Sequence, residues 1–283
     1  MLIQRILTAI PLAALVVWII LFQPTRSVDY LLTLVTFIAA SEWAGLALVK
    51  SRLLRYLYAG LVLVIPWLFL LRFEHLAIWL VYAAVIWWFS LTYYLKRACP
   101  RHGVSGIQVD KLLIALVILP AAFIAMHLIH TLHTLPPMDD MPAGKWWLMY
   151  ALALVWVADI GAYFSGKRFG KTKLSPQISP GKTREGLYGA LLLTTLYTLI
   201  VSYFFNLDRE TAVLLLLLSV MMTLISVTGD LYVSLLKREA GIKDSGMLLP
   251  GHGGMLDRID SVLAAMPVFI AGFYWLISPV TLS

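Results

Sequence analysis

The chain has 283 residues, of which 61% are hydrophobic and only 13% are charged, and its formal net charge is +7. A soluble globular domain is nearer half apolar and a quarter charged, so the composition excludes that class and indicates a polytopic membrane protein. The single cysteine, Cys99, excludes an internal disulfide and a cysteine-based metal cluster. The positive charge is explained by membrane topology, and no nucleic-acid partner is expected.

The apolar runs predict an all-α fold with about nine transmembrane helices, because a spanning helix needs roughly 20 mostly apolar residues. The first run lacks a small-x-small cleavage site and is expected to be a retained helix, not a signal peptide. The predicted helices cover residues 5–22, 28–48, 53–71, 75–95, 111–132, 146–165, 187–205, 211–236 and 261–279.

The distribution of Lys and Arg predicts the orientation in the membrane. With the N-terminus in the cytoplasm, 18 of the 22 Lys and Arg residues fall on the inner side. The four on the outer side are Arg26, Arg72, Lys145 and Arg209. Because basic residues concentrate in cytoplasmic loops, the N-terminus and the chemistry are expected in the cytoplasm. The size fits a protein of the inner membrane of a bacterium.

Two regions are expected along the chain. Residues 1–110 form N-terminal helices that would act as a scaffold. Residues 111–283 form the catalytic region, with cytoplasmic loops at 166–186 and 237–260 and a polar cavity open to the cytoplasm. Glu42 is a lone acid in the second helix, and such acids usually find a partner inside the bundle. Structural pairing and a part in the polar cavity both remain open for it.

The first polar stretch, residues 159–186, has the composition of a polyphosphate-binding segment. It reads DIGAYFSGKRFGKTKLSPQISPGKTREG, and Asp159 near its start shares a helix face with Tyr163 and Gly166. Glycines allow close backbone approach, hydroxyls donate to phosphate oxygens, and lysines supply charge. Neither GKRFGKT nor SPGKT has the spacing of a P-loop, and neither is expected to follow a strand. A basic cytoplasmic loop without a ligand remains the alternative.

The second polar stretch begins on the eighth predicted helix. One stripe of polar residues recurs there every three or four positions, in an otherwise apolar helix: Ser219, Thr223, Ser226, Asp230, Ser234 and Lys237. Polar groups facing lipid are costly, so the stripe should face a cavity or a neighbouring helix. The Ser and Thr residues alone would fit helix packing, but Asp230 and Lys237 on the same face favour a cavity.

The same stretch continues with two acids three residues apart, Asp257 and Asp260. Carboxylates with few histidines and no usable cysteine favour a hard cation such as Mg²⁺. The alternative is an ion-paired loop without a metal. In that case Asp257 would pair with Arg258, and Asp244 with its neighbour Lys243.

These residues resemble a known signature. The pattern Ser234-x-x-Lys237-Arg238, Lys243-Asp244 and Pro250-x-His252-Gly253-Gly254-x-x-Asp257-Arg258-x-Asp260 is similar to that of the phosphatidate cytidylyltransferase family, also called CDP-diacylglycerol synthases. ADIGAYFSGKRFGKTKL and SPGKTREG upstream also look like motifs of that family. The likeness covers the C-terminal half, and the N-terminal helices match mainly in hydropathy.

The resemblance implies a nucleotidyltransferase that converts CTP and phosphatidic acid into CDP-diacylglycerol and pyrophosphate, for phospholipid biosynthesis. It also implies Mg²⁺ as cofactor, K⁺ as a candidate second cation, contact with membrane lipids, and a homodimer whose contacts are expected in residues 1–110. Asp230 and Asp257 would be the main metal ligands, with Asp260 in support and Asp159 as a further candidate. The residues expected to be catalytic are Asp230, Lys237, Asp257 and Asp260.

The resemblance also divides the basic residues between the two substrates. Lys182, Arg184 and Lys167 would hold the triphosphate. Lys237, Arg238 and His252 would receive the lipid phosphate. Further substrate-binding candidates are Ser179, Thr183, Ser234 and Arg258.

Two other functions compete with this one. The CDP-alcohol phosphotransferases are also acidic membrane enzymes, but their Asp-Gly and Ala-Arg pattern with two further spaced acids is absent here. A cation-coupled transporter would use the polar stripe, but such proteins tend to show two repeated halves with broken helices. No such duplication is visible in the sequence.

Overall fold

The structure is a computed structural model that describes residues 2–95, 97–101, 103, 105–133, 143–246 and 253–277. Side chains are described from residue 11 onward. The helices of this part of the chain are α1 (Leu2–Phe22), α2 (Thr25–Leu46), α3 (Arg52–Arg72), α4 (Glu74–Leu95), α5 (Val109–His130), α6 (Ala143–Phe169), α7 (Arg184–Phe204), α8 (Arg209–Glu239) and α9 (Leu256–Gly272). A π-helical turn, Phe273–Ile277, continues α9.

The prediction of a mostly helical membrane protein of the all-α class is confirmed, and one small element was not predicted. A two-stranded antiparallel hairpin, β1 (Lys173–Ser175) and β2 (Ser179–Thr183), lies between α6 and α7. No strand was expected there, because the segment is short and contains Pro and Gly, which are rare inside strands. Pro180 and Gly181 fall within β2, whose only partner strand is β1, so both occupy an edge strand that tolerates them.

Seven helices, α3 to α9, are long and apolar enough to cross a membrane, counting the π-turn with α9. The segment Pro11–Phe22 of α1 is a shorter apolar helix. Large apolar side chains cover the outside of the bundle, for example Tyr203 at 78% exposure and Trp79 at 65%. Such a surface would be unfavourable in water, but it suits contact with lipid chains.

Several helices extend into polar sequence beyond the predicted ends, and two of them bear on the candidate site. α9 begins at Leu256 rather than at residue 261, and α6 continues to Phe169 rather than ending at 165. Hydropathy marks the part of a helix that is apolar, whereas the helix itself continues as long as its backbone hydrogen bonds are made. Asp257, Arg258 and Asp260 therefore lie at the start of α9 and not in a loop.

Small residues allow the helices to approach closely. Ala121 and Ala125 of α5 and Ala264 and Ala265 of α9 are fully buried, and these two helices pack together at the centre of the bundle. α6 and α7 pack along much of their length. A Cβ atom placed on Gly161 would lie only 2.6 Å from the Gly189 carbonyl oxygen, so that crossing requires glycine.

Polar contacts hold the two ends of the bundle in different ways. At one end, His127 Nδ1 lies 2.8 Å from Asp29 Oδ1, and His130 Nδ1 lies 3.0 Å from Thr25 Oγ1. These contacts join α2 to α5. At the opposite end, Lys111 of α5 pairs with Glu239 of α8 at 2.8 Å, and both side chains are at most 10% exposed. This second end, where α8 finishes, carries the candidate site.

The start of α8 is fixed by a side-chain cap at Asp208. Its carboxylate accepts the Thr211 hydroxyl at 2.6 Å and the backbone amides of Glu210 and Thr211 at 2.9 and 3.0 Å. The Thr211 hydroxyl, followed by the Thr211 amide, holds the pKa of Asp208 below its usual value. From this cap, α8 runs for 31 residues to the opposite end of the bundle.

Candidate active site

The polar stripe of α8 serves two different purposes along its length. The Ser219 hydroxyl lies 2.6 Å from the Tyr150 hydroxyl of α6, and the Thr223 hydroxyl donates to Thr194 of α7 at 3.1 Å. Both α8 residues are at most 1% exposed, so this half of the stripe packs against neighbouring helices. The expectation of a cavity along the stripe is therefore wrong for Ser219 and Thr223. Charged groups face the stripe only from Asp230 onward.

The first charged contact joins α8 to the hairpin. Lys182 of β2 lies with Nζ 2.6 Å from Asp230 Oδ2, and the two side chains are 23% and 32% exposed. The Ser234 hydroxyl, one turn further along α8, donates to the other Asp230 oxygen at 3.3 Å. Arg238 adds a second link, because its Nε donates to the carbonyl oxygen of the buried Ile178 at 3.3 Å. The hairpin is thus held on α8 by two basic side chains.

The second charged contact joins α8 to the start of α9. Lys237 Nζ lies 2.6 Å from Asp257 Oδ1, with side-chain exposures of 13% and 8%. The other Asp257 oxygen accepts the backbone amides of Ser245 at 2.8 Å and Gly254 at 3.0 Å. The Ser245 hydroxyl lies 3.1 Å from the same oxygen. Asp257 therefore pairs with Lys237 on α8, a partner that the alternative of an ion-paired loop did not name.

Two further acids connect these contacts electrostatically. The half-buried Asp260 interacts with Asp230 and with both lysines, Lys182 and Lys237. The exposed Asp159 on α6 interacts with Asp230, Lys182 and Arg258. The four predicted acids therefore belong to one cluster, in which they outnumber the three basic groups named with them. We call these seven residues the charged cluster: Asp159, Lys182, Asp230, Lys237, Asp257, Arg258 and Asp260.

The charged cluster has donor atoms that suit a hard divalent cation, although its acids are now engaged by lysines. Within the described ranges, no three His, Cys, Asp or Glu side chains are grouped tightly enough to hold a metal ion. Asp159 and Asp260 nevertheless each interact electrostatically with Asp230 and with Lys182. Neighbouring carboxylates of this kind supply oxygen ligands of the type Mg²⁺ prefers. The metal assignment remains a prediction.

The other predicted residues of the first polar stretch have different environments. Thr183 is buried and caps α7, because its hydroxyl accepts the Gly186 amide at 3.1 Å. Ser179 is half-buried at the first position of β2, and Arg184 is exposed at the first turn of α7. Lys167 is exposed, with its ammonium 5.7 Å from the centre of the Tyr163 ring. Their substrate contacts remain predictions.

One predicted residue, His252, lies outside the described residues. Two residues at the site were absent from the predicted set, Glu42 and Ser245. Ser245 carries no sequence signal of its own, since an isolated serine in a polar loop is common. Glu42 did carry one, because an acid inside an apolar helix is rare and needs a partner. The sequence could not indicate that this partner lies more than 200 positions away in the charged loop.

Comparison with known proteins agrees with the geometry. The model of a family described as "Cytidylyltransferase family" matches residues 3–276. A phosphatidate cytidylyltransferase from Pseudomonas aeruginosa is 37% identical over 271 residues, which are 96% of this chain and 96% of the relative. One from Haemophilus influenzae is 37% identical over 297 aligned positions, covering 98% of this chain and all of the relative. One from Staphylococcus epidermidis is 43% identical over 125 residues, about half of its length.

Proposed function

This chain belongs to the cytidylyltransferase family, and on that premise we propose that it transfers the cytidylyl group of CTP to phosphatidic acid. The products are CDP-diacylglycerol and pyrophosphate. Two full-length relatives carry the name of this activity. The observation that supports it best is the charged cluster, which gathers lysines and carboxylates at one end of an apolar bundle. A reaction between a nucleotide and a membrane lipid needs such a site at the edge of the membrane.

The reaction joins two anions, so its main barrier is electrostatic. A phosphate oxygen of phosphatidic acid forms a new bond to the α-phosphorus of CTP, and the bond from that phosphorus to the bridging oxygen of pyrophosphate breaks. Because the second pKa of a phosphate monoester is about 6, the nucleophile is already ionised at neutral pH. No strong base is required. Catalysis is therefore expected to consist of positioning and charge neutralisation.

The two lysine–aspartate pairs suit this chemistry because each can exchange partners. In the structure, Lys182 neutralises Asp230 and Lys237 neutralises Asp257. A bound phosphate competes with the aspartate for the ammonium group, and a bound cation competes with the ammonium for the carboxylate. CTP bound together with its metal would supply the phosphate for the lysine and the cation for the aspartate at once. We therefore interpret the two pairs as resting contacts, which form in the empty site and are replaced when phosphate and cation bind together.

We assign the substrates to the two pairs by their neighbours. Lys182 belongs to the hairpin, beside Arg184 and near Lys167, so the triphosphate of CTP would lie there. Lys237 and Arg238, with His252, would receive the phosphate of the lipid. Ser179, Thr183, Ser234 and Arg258 remain substrate-binding candidates on the same grounds.

Mg²⁺, when bound, would neutralise phosphate oxygens and the departing pyrophosphate. Asp159, Asp230 and Asp260 are the residues that would hold it, and Asp257 would join them once Lys237 has turned to a phosphate. K⁺ remains a candidate for a second cation.

The proposed orientation in the membrane rests on the position of the charged cluster at one end of the bundle. CTP is a cytoplasmic metabolite, so we propose that the charged cluster faces the cytoplasm and that the N-terminus lies on that side. The expected location is the inner membrane of a bacterium, and a homodimer is expected from the family resemblance. The acyl chains of the lipid need a lateral opening, because moving them into water would cost about 0.8 kcal/mol per CH₂.

Two radiolabels test the proposed reaction. The purified chain in detergent is incubated with phosphatidic acid, Mg²⁺ and CTP labelled at either the α- or the γ-phosphate. Label from the α-position is expected in the lipid fraction, and label from the γ-position in pyrophosphate. Omission of phosphatidic acid is the control. Lipid product that appears only with an added alcohol would indicate a phosphotransferase, and ion uptake into vesicles without chemistry would indicate a transporter.

A further inference from the structure

The N-terminal helices contribute a carboxylate to the catalytic end of the bundle. Glu42 lies on α2, near its C-terminal end, and is half-buried. Its Oε1 accepts the Met255 amide at 3.0 Å, and its Oε2 accepts the Leu256 amide at 2.8 Å. The Ser245 hydroxyl lies 2.8 Å from Oε2 as well. One side chain thus joins α2 to both ends of the loop that precedes α9.

These contacts complete the start of α9. The first amides of a helix have no partner within the helix, and a negative charge beside them is stabilising. Met255, the residue preceding α9, makes no capping bond with its own side chain. Glu42 supplies both the acceptor oxygens and the negative charge from another helix. The position of α9, and with it the first-turn residues Asp257 and Asp260, therefore depends on α2.

Glu42 also shares a donor with Asp257. The Ser245 hydroxyl lies within hydrogen-bond distance of Glu42 Oε2, at 2.8 Å, and of Asp257 Oδ2, at 3.1 Å. A hydroxyl has a single proton, so it links two carboxylates of which only one can receive that proton at a time. The backbone amide of Ser245 also donates to Asp257, at 2.8 Å. A change at Glu42 would therefore be transmitted to Asp257 through Ser245.

Two glycines make room for this carboxylate. A Cβ atom on Gly246 would meet the Glu42 carboxylate, and one on Gly254 would meet both that carboxylate and the Ser245 hydroxyl. The backbone at positions 246 and 254 can therefore lie this close to Glu42 because both residues are glycines. The arrangement requires an acid on α2 and glycines in the loop, although the two are more than 200 positions apart in the sequence.

We propose that Glu42 is a positioning residue for the catalytic loop, which holds Asp257 and the start of α9 in the geometry needed for transfer. The proposal rests on the proposed function only for its effect on rate. The contacts of Glu42 with Ser245, Met255 and Leu256 do not depend on it. Residues 1–110 are then more than a scaffold, because α2 completes the active site.

Replacement of Glu42 with glutamine tests this proposal. Glutamine has nearly the same size, but its amide nitrogen would face a donor, and its neutral oxygen is a weaker acceptor. The kcat of label transfer is expected to fall by roughly 10- to 100-fold, as for other groups that orient catalytic ligands. The KM for CTP should change much less, because Lys182 and the hairpin are not touched. Amide hydrogen exchange at 253–257 should accelerate.

The outcomes separate a positioning role from a purely structural one. A fall in melting temperature with normal kcat and normal exchange at 253–257 would overturn the proposal. Glu210→Gln, an exposed glutamate at the other end of α8, is the matched control and should retain wild-type kcat. If Glu42→Gln does not fold, Ser245→Ala removes only the shared hydroxyl; slower transfer and faster exchange support the proposal, and wild-type values for both overturn it. If the wild type transfers no label, the proposed function fails, and hydrogen exchange alone decides the role of Glu42.

Discussion

Replacing Asp257 with asparagine is expected to reduce label transfer from CTP to lipid by about a hundredfold or more, by analogy with loss of other preorganised charge-stabilising groups. Asparagine retains the shape but not the charge that holds Lys237 at 2.6 Å. It also cannot serve all donors at once, because the aspartate accepts amides from Ser245 and Gly254 in addition. Lys237 therefore loses its ion pair, and the loop loses part of the hydrogen bonding that holds Ser245 and Gly254 in place.

Asp110→Asn is the matched control for this variant. Asp110 is exposed in the first turn of α5, at the same end of the bundle. Among the residues that the structure describes, no hydrogen bond or ion pair joins it to the charged cluster. Its replacement should leave transfer unchanged. Near-normal turnover in a folded Asp257→Asn protein, judged by its elution profile and melting temperature, would refute the catalytic assignment of Asp257.

Replacing Asp230 with asparagine is expected to separate turnover from nucleotide binding. Transfer should fall by about a hundredfold, because Asp230 lies at the centre of the acids that would hold the cation. Binding of CTP without divalent metal should remain as tight or become tighter, since Lys182 loses its partner at 2.6 Å and is free for a phosphate. Equilibrium binding in EDTA and label transfer in Mg²⁺ measure the two effects.

The opposite pattern would contradict this account of Asp230. If the Lys182–Asp230 pair only fastens the hairpin to α8, its loss should lower the melting temperature and weaken metal-free CTP binding together. The Arg238 contact to the Ile178 carbonyl oxygen is a second link between α8 and the hairpin, so the Asp230→Asn protein is still expected to fold. The sign of the change in metal-free affinity therefore distinguishes a resting contact from a structural one.

The helices were predictable because a membrane-length apolar run leaves little choice of secondary structure. The polar ends of the helices were not predictable, since hydropathy does not detect the hydrogen bonds that cap the first and last turns of a helix. α9 begins at Leu256 because Glu42 accepts its first amides from another helix. The hairpin was missed for a similar reason. β2 contains Pro180 and Gly181, which argue against a strand. The contacts that hold the hairpin, Lys182 with Asp230 and Arg238 with Ile178, join residues far apart in the sequence.

The four acids predicted as metal ligands lie in one charged cluster, and their role as ligands stays a prediction. The sequence did not indicate that the helical start of α9 brings Asp257 to Lys237 on α8. The stripe on α8 was also correct in spacing, and it divides because α6 and α7 supply hydroxyls only along its first half. Periodicity identifies the face of a helix, and only the packed neighbours determine what that face meets.

The affinity of Lys182→Met for CTP tests most directly whether the lysines held by aspartates are phosphate-binding groups. Equilibrium binding is measured in Mg²⁺, with Lys50→Met, an exposed lysine in the connection between α2 and α3, as the control. The Kd of Lys182→Met is expected to rise by roughly tenfold or more, because a charge-assisted hydrogen bond contributes about 1.5–3 kcal/mol. An unchanged Kd in a folded Lys182→Met protein would contradict the account.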